Sequence, residues 1–355
     1  MTKEKGNRMA KTNPEAASQA AATQFVGVDD GHYAVKVVTE DGQMFSIPSR
    51  ARSGKHLTAW QGTSESDGGI YRTEEGGLFT VHEHLSDSDD TRFRDYPLSP
   101  LNRVLVHHAL RRAGLGGQRV NICTGLPVSY YYVGGEKNQV LIDGKEQNLR
   151  KSVSAEHGEC AVIDGNTVTT EAIAAYFDQI MNMDGSETDV YGEVEKAMVG
   201  VVDVGGKTTD SVVVLPGGMQ IDNARSGSTD IGILNLNDTI EAVLRTKFNF
   251  DRVPVSMIED AISTGSIKEY GKRHDVTDIV RKAKEDLADG ILANVRAKIG
   301  TGRDLEWVLF VGGGSMVMRE QLARNFPHAR FPDRPEMANA RGMFKIAKYV
   351  FGAGA

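Results

Sequence analysis

GVVDVGGKTTDSVVVL, residues 200–215, sets two glycines, a lysine and a threonine between two apolar runs. The Gly206-Lys207-Thr208 ending is that of a Walker A loop, but the first glycine such a loop requires falls on Val201. A Walker loop must also open a helix whose N-terminus faces the phosphates. Ser211 to Leu215 is instead β-branched and apolar, which reads as a strand. The glycine pair therefore joins two strands of a hairpin, and Asp203 ends the first of them. VGVDDGHYAVKV, residues 26–37, repeats the order strand, aspartate, glycine, strand, with Asp29 lying 174 residues before Asp203. Taken alone, its Asp-Gly step reads as an ordinary hairpin turn. Two such hairpins facing each other would grip a triphosphate. Gly31 would bare backbone N–H groups, Lys36 would supply a point charge, and Asp29 and Asp203 would flank one Mg²⁺ through its water.

The surrounding sequence extends the repeat. Phe25–Asp29, Ala34–Thr39 and Gln43–Ile47 form a meander about the turn Glu40-Asp41-Gly42, and a helix follows over Ser99–Arg112. Residues 49–95 read as small edge strands and loops. A strand is expected at Val120–Thr124, a hairpin of Glu159–Ile163 with Thr167-Val168 about Asp164-Gly165, and a helix from near Thr170. In the second half the strands are Ala197–Val204, 210–215 and 219–225. Helices follow over Asp230–Lys247 and Val276–Ile299, then a strand Trp307–Val311 and a last helix Met337–Tyr349. Each half thus has a three-stranded meander followed by alternating helices and strands, an α/β architecture of two similar domains about a cleft.

Composition narrows the function. The 355 residues carry 41 Lys plus Arg against 48 Asp plus Glu, a net charge of −7, without the basic stripe of a general nucleic-acid binder. The length suits two core-forming domains. Cys123 and Cys160 are the only cysteines, so no disulfide framework or zinc spacing exists. No apolar run approaches a membrane span, and the first stretch lacks the apolar core of a signal peptide. A cytoplasmic protein without membrane partners is expected. Residues 1–23 are polar and Ala-rich and read as a disordered tail.

A third stretch, FVGGGSMV at 310–317, ends a buried strand in three glycines, where a flat ligand can lie against backbone. The ordered set VDDGHYAVK, VVDVGGKTTD and VGGGS resembles phosphate 1, phosphate 2 and the adenosine motif of the actin, DnaK and sugar-kinase ATPase superfamily. Within it, VHHALRRAGLGGQRVNICTGLPVSYYY at 106–132 and PEMANARGMFKIA at 335–347 are similar to the ParM/StbA plasmid-segregation actins. The resemblance runs from about residue 25 to the C-terminus. It implies an actin-like fold of duplicated ribonuclease-H-like halves: domain I over 24–196, domain II over 197–334, and a C-terminal helix, 335–355, returning to domain I.

The resemblance also assigns roles. Asp29 and Asp203 would organise the water shell of Mg²⁺. Asp30, Gly31, Lys36, Gly205, Gly206, Lys207 and Thr208 would lie at the phosphates, and Gly312, Gly313, Gly314 and Ser315 at the nucleoside. TTEAIAAYFDQI resembles the first connecting helix and places Glu171 as the group positioning the attacking water, with Asp203 the other catalytic residue. On its own, Glu171 reads as an acid in a helix's first turn, favourable to the dipole. Thr170 stands where a proline is usual, and His32 and Tyr33 where Ser and Thr are usual, so a hydroxyl contact to phosphate is missing or replaced by backbone N–H and His32. Lys284 and Glu285 match a pair touching the nucleoside; by themselves they are a solvated helix face. The function implied is an ATP hydrolase, with GTP as a possible substrate, that polymerises head to tail into dynamic cytoskeletal filaments. Plasmid DNA is reached through a ParR-like adaptor at the filament end, without direct nucleic-acid binding. The alternative is a monomeric phosphotransferase or chaperone-like ATPase of the same fold.

Overall fold

The structure is a computed structural model that describes residues 23–56, 68–85 and 87–352. All of the expected tail except Thr23 lies outside the described residues. Two five-stranded sheets carry the molecule, and they share one topology. In the first, Gln24–Asp30 pairs antiparallel with Ala34–Val38, which pairs antiparallel with Met44–Pro48. On its other side Gln24–Asp30 runs parallel to Arg119–Leu126, and that strand parallel to Val162–Thr170. In the second, Val199–Val204 pairs antiparallel with Thr209–Val214 and this with Gly227–Thr229, while Val308–Val311 and Ala329–Arg330 continue in parallel. Both sheets therefore run 3-2-1-4-5 in the order of their own strands.

The valine runs explain why these strands are central. Every residue of Val199–Val204 and Thr209–Val214 is buried, as a strand covered on both faces requires. Val202, Val204 and Val213 face a core made with Ile240, Leu244, Leu287 and Ile291 of the helices Leu234–Phe248 and Thr277–Ile299. Val199, Val201 and Val212 face Ala172, Ala175 and Tyr176 of the helix Glu171–Ile180. The first sheet packs Val26, Val28, Val35 and Val37 on Val104, Leu105 and Ala109 of the helix Pro100–Arg112, whose cap Ser99 accepts from the Asn102 N–H. No helix among the described residues is long and apolar enough to cross a membrane.

Three expectations are corrected. The segment 159–168 is not a hairpin: Val162–Thr170 is one parallel strand with a bulge between Ile163 and Gly165. Arg119 holds Asp164 at 2.9 Å, so the Asp-Gly pair is absorbed as a kink in the strand. The third strand of the second meander is Gly227–Thr229, not 219–225. Ile221 makes only an isolated bridge to Val214, and the Asp222 side chain caps a tight turn over Asn223–Arg225 that interrupts the strand. Residues 49–95 contribute Ala51–Ser53, Gly68–Thr73 and Leu78–His82, which with Val153–Ala155 make a separate four-stranded sheet rather than edge strands of the main one. The helices Gln139–Arg150 and Val255–Thr264 have no counterpart in the sequence reading.

The last helix, Ala338–Lys345, continues as a wider turn through Phe351. It lies between strand Gln24–Asp30 and helix Glu171–Ile180 at backbone contact. A Cβ on Gly27 would overlap the Ala340 carbonyl, and one on Gly342 the Ala174 carbonyl. Buried Asp178 accepts from Arg341 Nη2 and from Lys345 Nζ, both at 2.6 Å. We expect Gly342→Ala to lower stability by about 3 kcal/mol, because neither backbone can yield without moving the other. Gly290→Ala, in open space on helix Thr277–Ile299, is expected to add about 0.5–1 kcal/mol. Denaturant melts of both variants check the pair.

Candidate functional site

The C-terminal ends of strands 24–30 and 199–204 face each other across a cleft of about 250 Å³. Each aspartate emerges at its strand end because side chains alternate along a strand. Asp29 and Asp203 point into the cleft, and the intervening glycines turn the chain back. Gly31 and Lys36 line it from the first half, and Gly205, Gly206, Lys207 and Thr208 from the second. The chain after Thr208 is strand, as expected from the β-branched run that ruled out a Walker loop. The hairpins meet: a Cβ on Gly206 would stand 3.0 Å from the Tyr33 backbone nitrogen. From behind, the Gly205 and Gly206 carbonyls accept from the N–H groups of Ile233 and Leu234 as the helix Leu234–Phe248 begins.

Lys36 Nζ donates to Asp29 Oδ2 at 2.7 Å. Burial opposes its charge, but Asp29, Asp203 and Glu171 outweigh burial and raise its pKa. Asp203 is pushed up to about 7 by burial and then by the charges of Asp29 and Asp210. Its Oδ2 accepts from Asn339 Nδ2 at 2.7 Å, and its Oδ1 is buried without a partner. Gly312, at φ +81°, makes room for that oxygen, which a side chain there would overlap. Glu171 lines the cleft as the first residue of its helix, behind the cap Thr170, whose hydroxyl accepts from Ile173 N–H. Burial, then Asp29, Asp210 and Asp203, raises its pKa well above the usual carboxylate value. Carboxylates crowded around one lysine call for more positive charge or protons. Among the described residues no three metal-ligating side chains cluster closely enough to hold an ion alone. The orphaned Asp203 oxygen fits instead a hard cation met through water, with anionic ligand oxygens completing the shell.

Other candidates lie elsewhere. The Asp30 carboxylate faces away from the cleft, since it neighbours Asp29 on an alternating strand. It accepts from buried Lys145 at 2.8 Å and from Asn102 at 2.7 Å. Gly312 and Gly313 line the cleft, whereas Gly314 packs on Val204 and Ser315 turns its hydroxyl back to the Gly312 carbonyl. Lys284 and Glu285 do not line it: Lys284 reaches the Ile262 carbonyl at 3.5 Å, and Glu285 pairs with Arg281 one turn away. His32 donates its Nδ1–H to the Thr91 carbonyl at 2.8 Å, and burial, then Lys207, lowers its pKa to about 4, so it stands neutral. At the mouth, Glu259 of the second half takes Arg50 and the Tyr33 hydroxyl of the first, and Asp238 takes Arg92 at 2.6 Å.

Two residues at Asp203 and one behind the cleft, at Asp30, escaped the sequence reading. Asp210 stands directly opposite Asp203 in the hairpin register. Burial raises its pKa to about 6 although Ser228, the Val128 N–H and Thr208 all donate to it. The signal was present, because GGKT is flanked by two aspartates whose spacing suits facing positions. Asn339 is the polar residue in Ala338-Asn339-Ala340, a run of otherwise small buried residues. Lys145 lies on the unforeseen helix Gln139–Arg150.

A raised carboxyl pKa means that the folded state holds its proton more tightly than the unfolded one. The stabilisation is full at low pH and is lost as pH rises through the folded value. For Asp203 that window runs from its ordinary value near 3.8 to about 7. We expect Asp203→Asn to melt roughly 2–6 °C above the ligand-free parent at pH 8, with the difference shrinking toward pH 5. Equal melting points at pH 8 would show that the carboxylate is not strained in the empty cleft.

Two family models match successive parts of the chain. Residues 25–182 match the N-terminal part of the plasmid segregation protein ParM (StbA), and residues 201–324 the C-terminal part of the archaeal MreB-like actin homologue. No curated protein matches the chain. Among solved structures, a non-polymerisable quadruple mutant of pCBH ParM aligns at TM-score 0.75 and 20% identity, covering 94% of this chain and all of its own. The 15-stranded ParM filament from Clostridium botulinum aligns at TM-score 0.74 and 19% identity, over 92% of this chain and 99% of that one. The archaeal actin homologue Ta0583 in complex with ADP aligns at 0.72 and 20%, over 91% and 99%. At these identities the structural likeness fixes the fold, and the two family models fix the kinship. This chain is an actin-like protein, related to ParM/StbA through its first half and to the archaeal MreB-like actins through its second.

Proposed function

We propose that the cleft binds ATP with Mg²⁺ and hydrolyses it to ADP and phosphate, and that the hydrolysis times the assembly of head-to-tail filaments. The observation that carries this reading is the convergence of Asp29, Lys36, Asp203 and Glu171, from both halves, on one cleft walled by glycine hairpins. The glycine turns let backbone N–H groups meet phosphate oxygens, and Lys36, held by Asp29, places a fixed positive charge among them. Asp29 and Asp203 would hold Mg²⁺ through water, and the ion would neutralise charge developing on the transferred phosphoryl group. Glu171, with a pKa raised by burial and neighbouring carboxylates, is suited to orient a water and take its proton. ADP in the archaeal relative and the filament of the clostridial one support the two parts of the proposal separately.

In a cell the reading extends to plasmid segregation in the cytoplasm, with a DNA-bound adaptor of ParR type capturing a filament end. A head-to-tail contact that does not close on itself yields a filament, and an adaptor then finds a free pole only at the end. The net charge of −7 favours indirect over direct DNA contact.

Sedimentation with ATP, ADP and no nucleotide tests assembly: pelleting that depends on nucleotide is expected, and a protein that stays in the supernatant throughout counters it. Asp203→Ala is expected to abolish or severely slow phosphate release at saturating Mg-ATP. Glu171→Ala should still bind ATP and give longer-lived filaments, because it removes a group used in the chemical step rather than in binding. Lost ATP affinity with normal turnover per bound nucleotide would make Glu171 structural.

A further inference from the structure

Asn339 reaches the cleft from an unexpected direction. It sits on helix Ala338–Lys345, which packs on the first sheet and on helix Glu171–Ile180, yet its amide donates to Asp203 of the second sheet at 2.7 Å. Both residues are almost fully enclosed, at 4% and 2% exposure. The amide orientation follows from its neighbour, since only the NH₂ side can face a carboxylate oxygen. That leaves Asn339 Oδ1 buried without a partner, as is Asp203 Oδ1, and both residues line the cleft. Gly312 closes the far side of Asp203 Oδ1. The carboxylate is thus held at one oxygen by the amide and bordered at the other by backbone, and two acceptor atoms on cleft-lining residues are buried without a donor.

The helix that presents Asn339 is itself fixed. Gly27 and Gly342 bring it to backbone contact on two sides, and Arg341 and Lys345 bind Asp178 on the helix that begins with Glu171. Asn339 and Glu171 therefore belong to one rigid pair of helices, and Asp203 to the opposite half. We propose that Asn339 is a positioning residue that fixes the direction of the Asp203 carboxylate toward a water-bound Mg²⁺, and so ties metal binding to the relative placement of the two halves. The proposal rests on the reading of the cleft as a Mg-nucleotide site. It assigns Asn339 a role in metal affinity and none in the affinity for nucleotide alone.

The test uses the full chain and fluorescent N-methylanthraniloyl-ADP, titrated with Mg²⁺ present and with EDTA. The parent is expected to bind more tightly with Mg²⁺. Asn339→Ala should lose about 10–100-fold of that metal-dependent gain, the range usual when a group orienting a metal's carboxylate is removed, while affinity in EDTA stays unchanged. Asn339→Leu, which keeps the volume but cannot donate, should lose the same gain, and it supplies the measurement if the alanine variant fails to fold. A full metal-dependent gain in either folded variant would overturn the inference. So would an equal loss with and without Mg²⁺, which marks a packing role. A parent that binds the probe identically in Mg²⁺ and EDTA overturns the inference alone, whereas a parent that binds no probe overturns the nucleotide reading beneath it.

Discussion

Repulsion among carboxylates is the constraint from which the rest of the site follows. Asp29, Glu171, Asp203 and Asp210 converge where the two sheets meet, and Lys36 is the cation most directly among them. In the low-dielectric setting of a buried cleft such a group of like charges cannot all ionise without help. The shifts show the result, with Asp203 raised to about 7, Asp210 to about 6, and Glu171 raised as well. A fold gains nothing in stability from this arrangement. Under the proposed function a bound cation and its anionic ligand would supply the missing balance, and the filled cleft would be the relaxed state.

Holding that strain requires stiffness elsewhere, and the structure supplies it around the last helix. Backbone contacts at Gly27 and Gly342 leave no layer of side chains that could shear, and Asp178 is clamped by two cations in the same seam. The seam lies directly behind Glu171 and Asn339. By contrast, contacts across the cleft mouth, Arg50 with Glu259 and Arg92 with Asp238, join partly exposed side chains on the rims of the halves. Exposed ion pairs are worth little individually and weaken with salt. The molecule is therefore packed at backbone contact behind the cleft and joined across its mouth by ion pairs between partly exposed side chains.

Much of this was legible in the chain because the two hairpins carry strong local signals. Strand, aspartate, glycine, strand can be read without tertiary knowledge, and the β-branched run after Thr208 was enough to reject a Walker loop that the glycine and lysine spacing imitates. The helix behind Glu171 was readable from its Thr170 cap. What stayed hidden has physical reasons. Lys145 sits on a helix whose buried face is Ile142, Lys145, Asn148 and Leu149, so that charge and amide interrupt the apolar period that reveals a helix. Lys284 and Glu285 lie on a helix that solvates charges along one side, and sequence alone does not tell a solvated pair from a ligand-facing one. Asp30 was over-read, since strict alternation along the strand already sets it opposite Asp29.

The shared topology of the halves makes one difference between them informative. Asp29 faces Lys36 across its hairpin, and Asp203 faces Asp210 at the same spacing across the other. Equivalent positions in a duplicated frame thus hold opposite charges, while a second lysine, Lys207, lines the cleft from the other hairpin. Under the proposed function, the phosphate chain would lie toward the Lys36 side, where backbone N–H groups and the ammonium gather negative oxygens. The attacking water would approach from the side of Glu171, which lines the cleft. Duplication alone would give two equal ways to seat a ligand. Under the same proposal, the exchange of a lysine for an aspartate at one register position would favour one orientation over the other without altering either sheet.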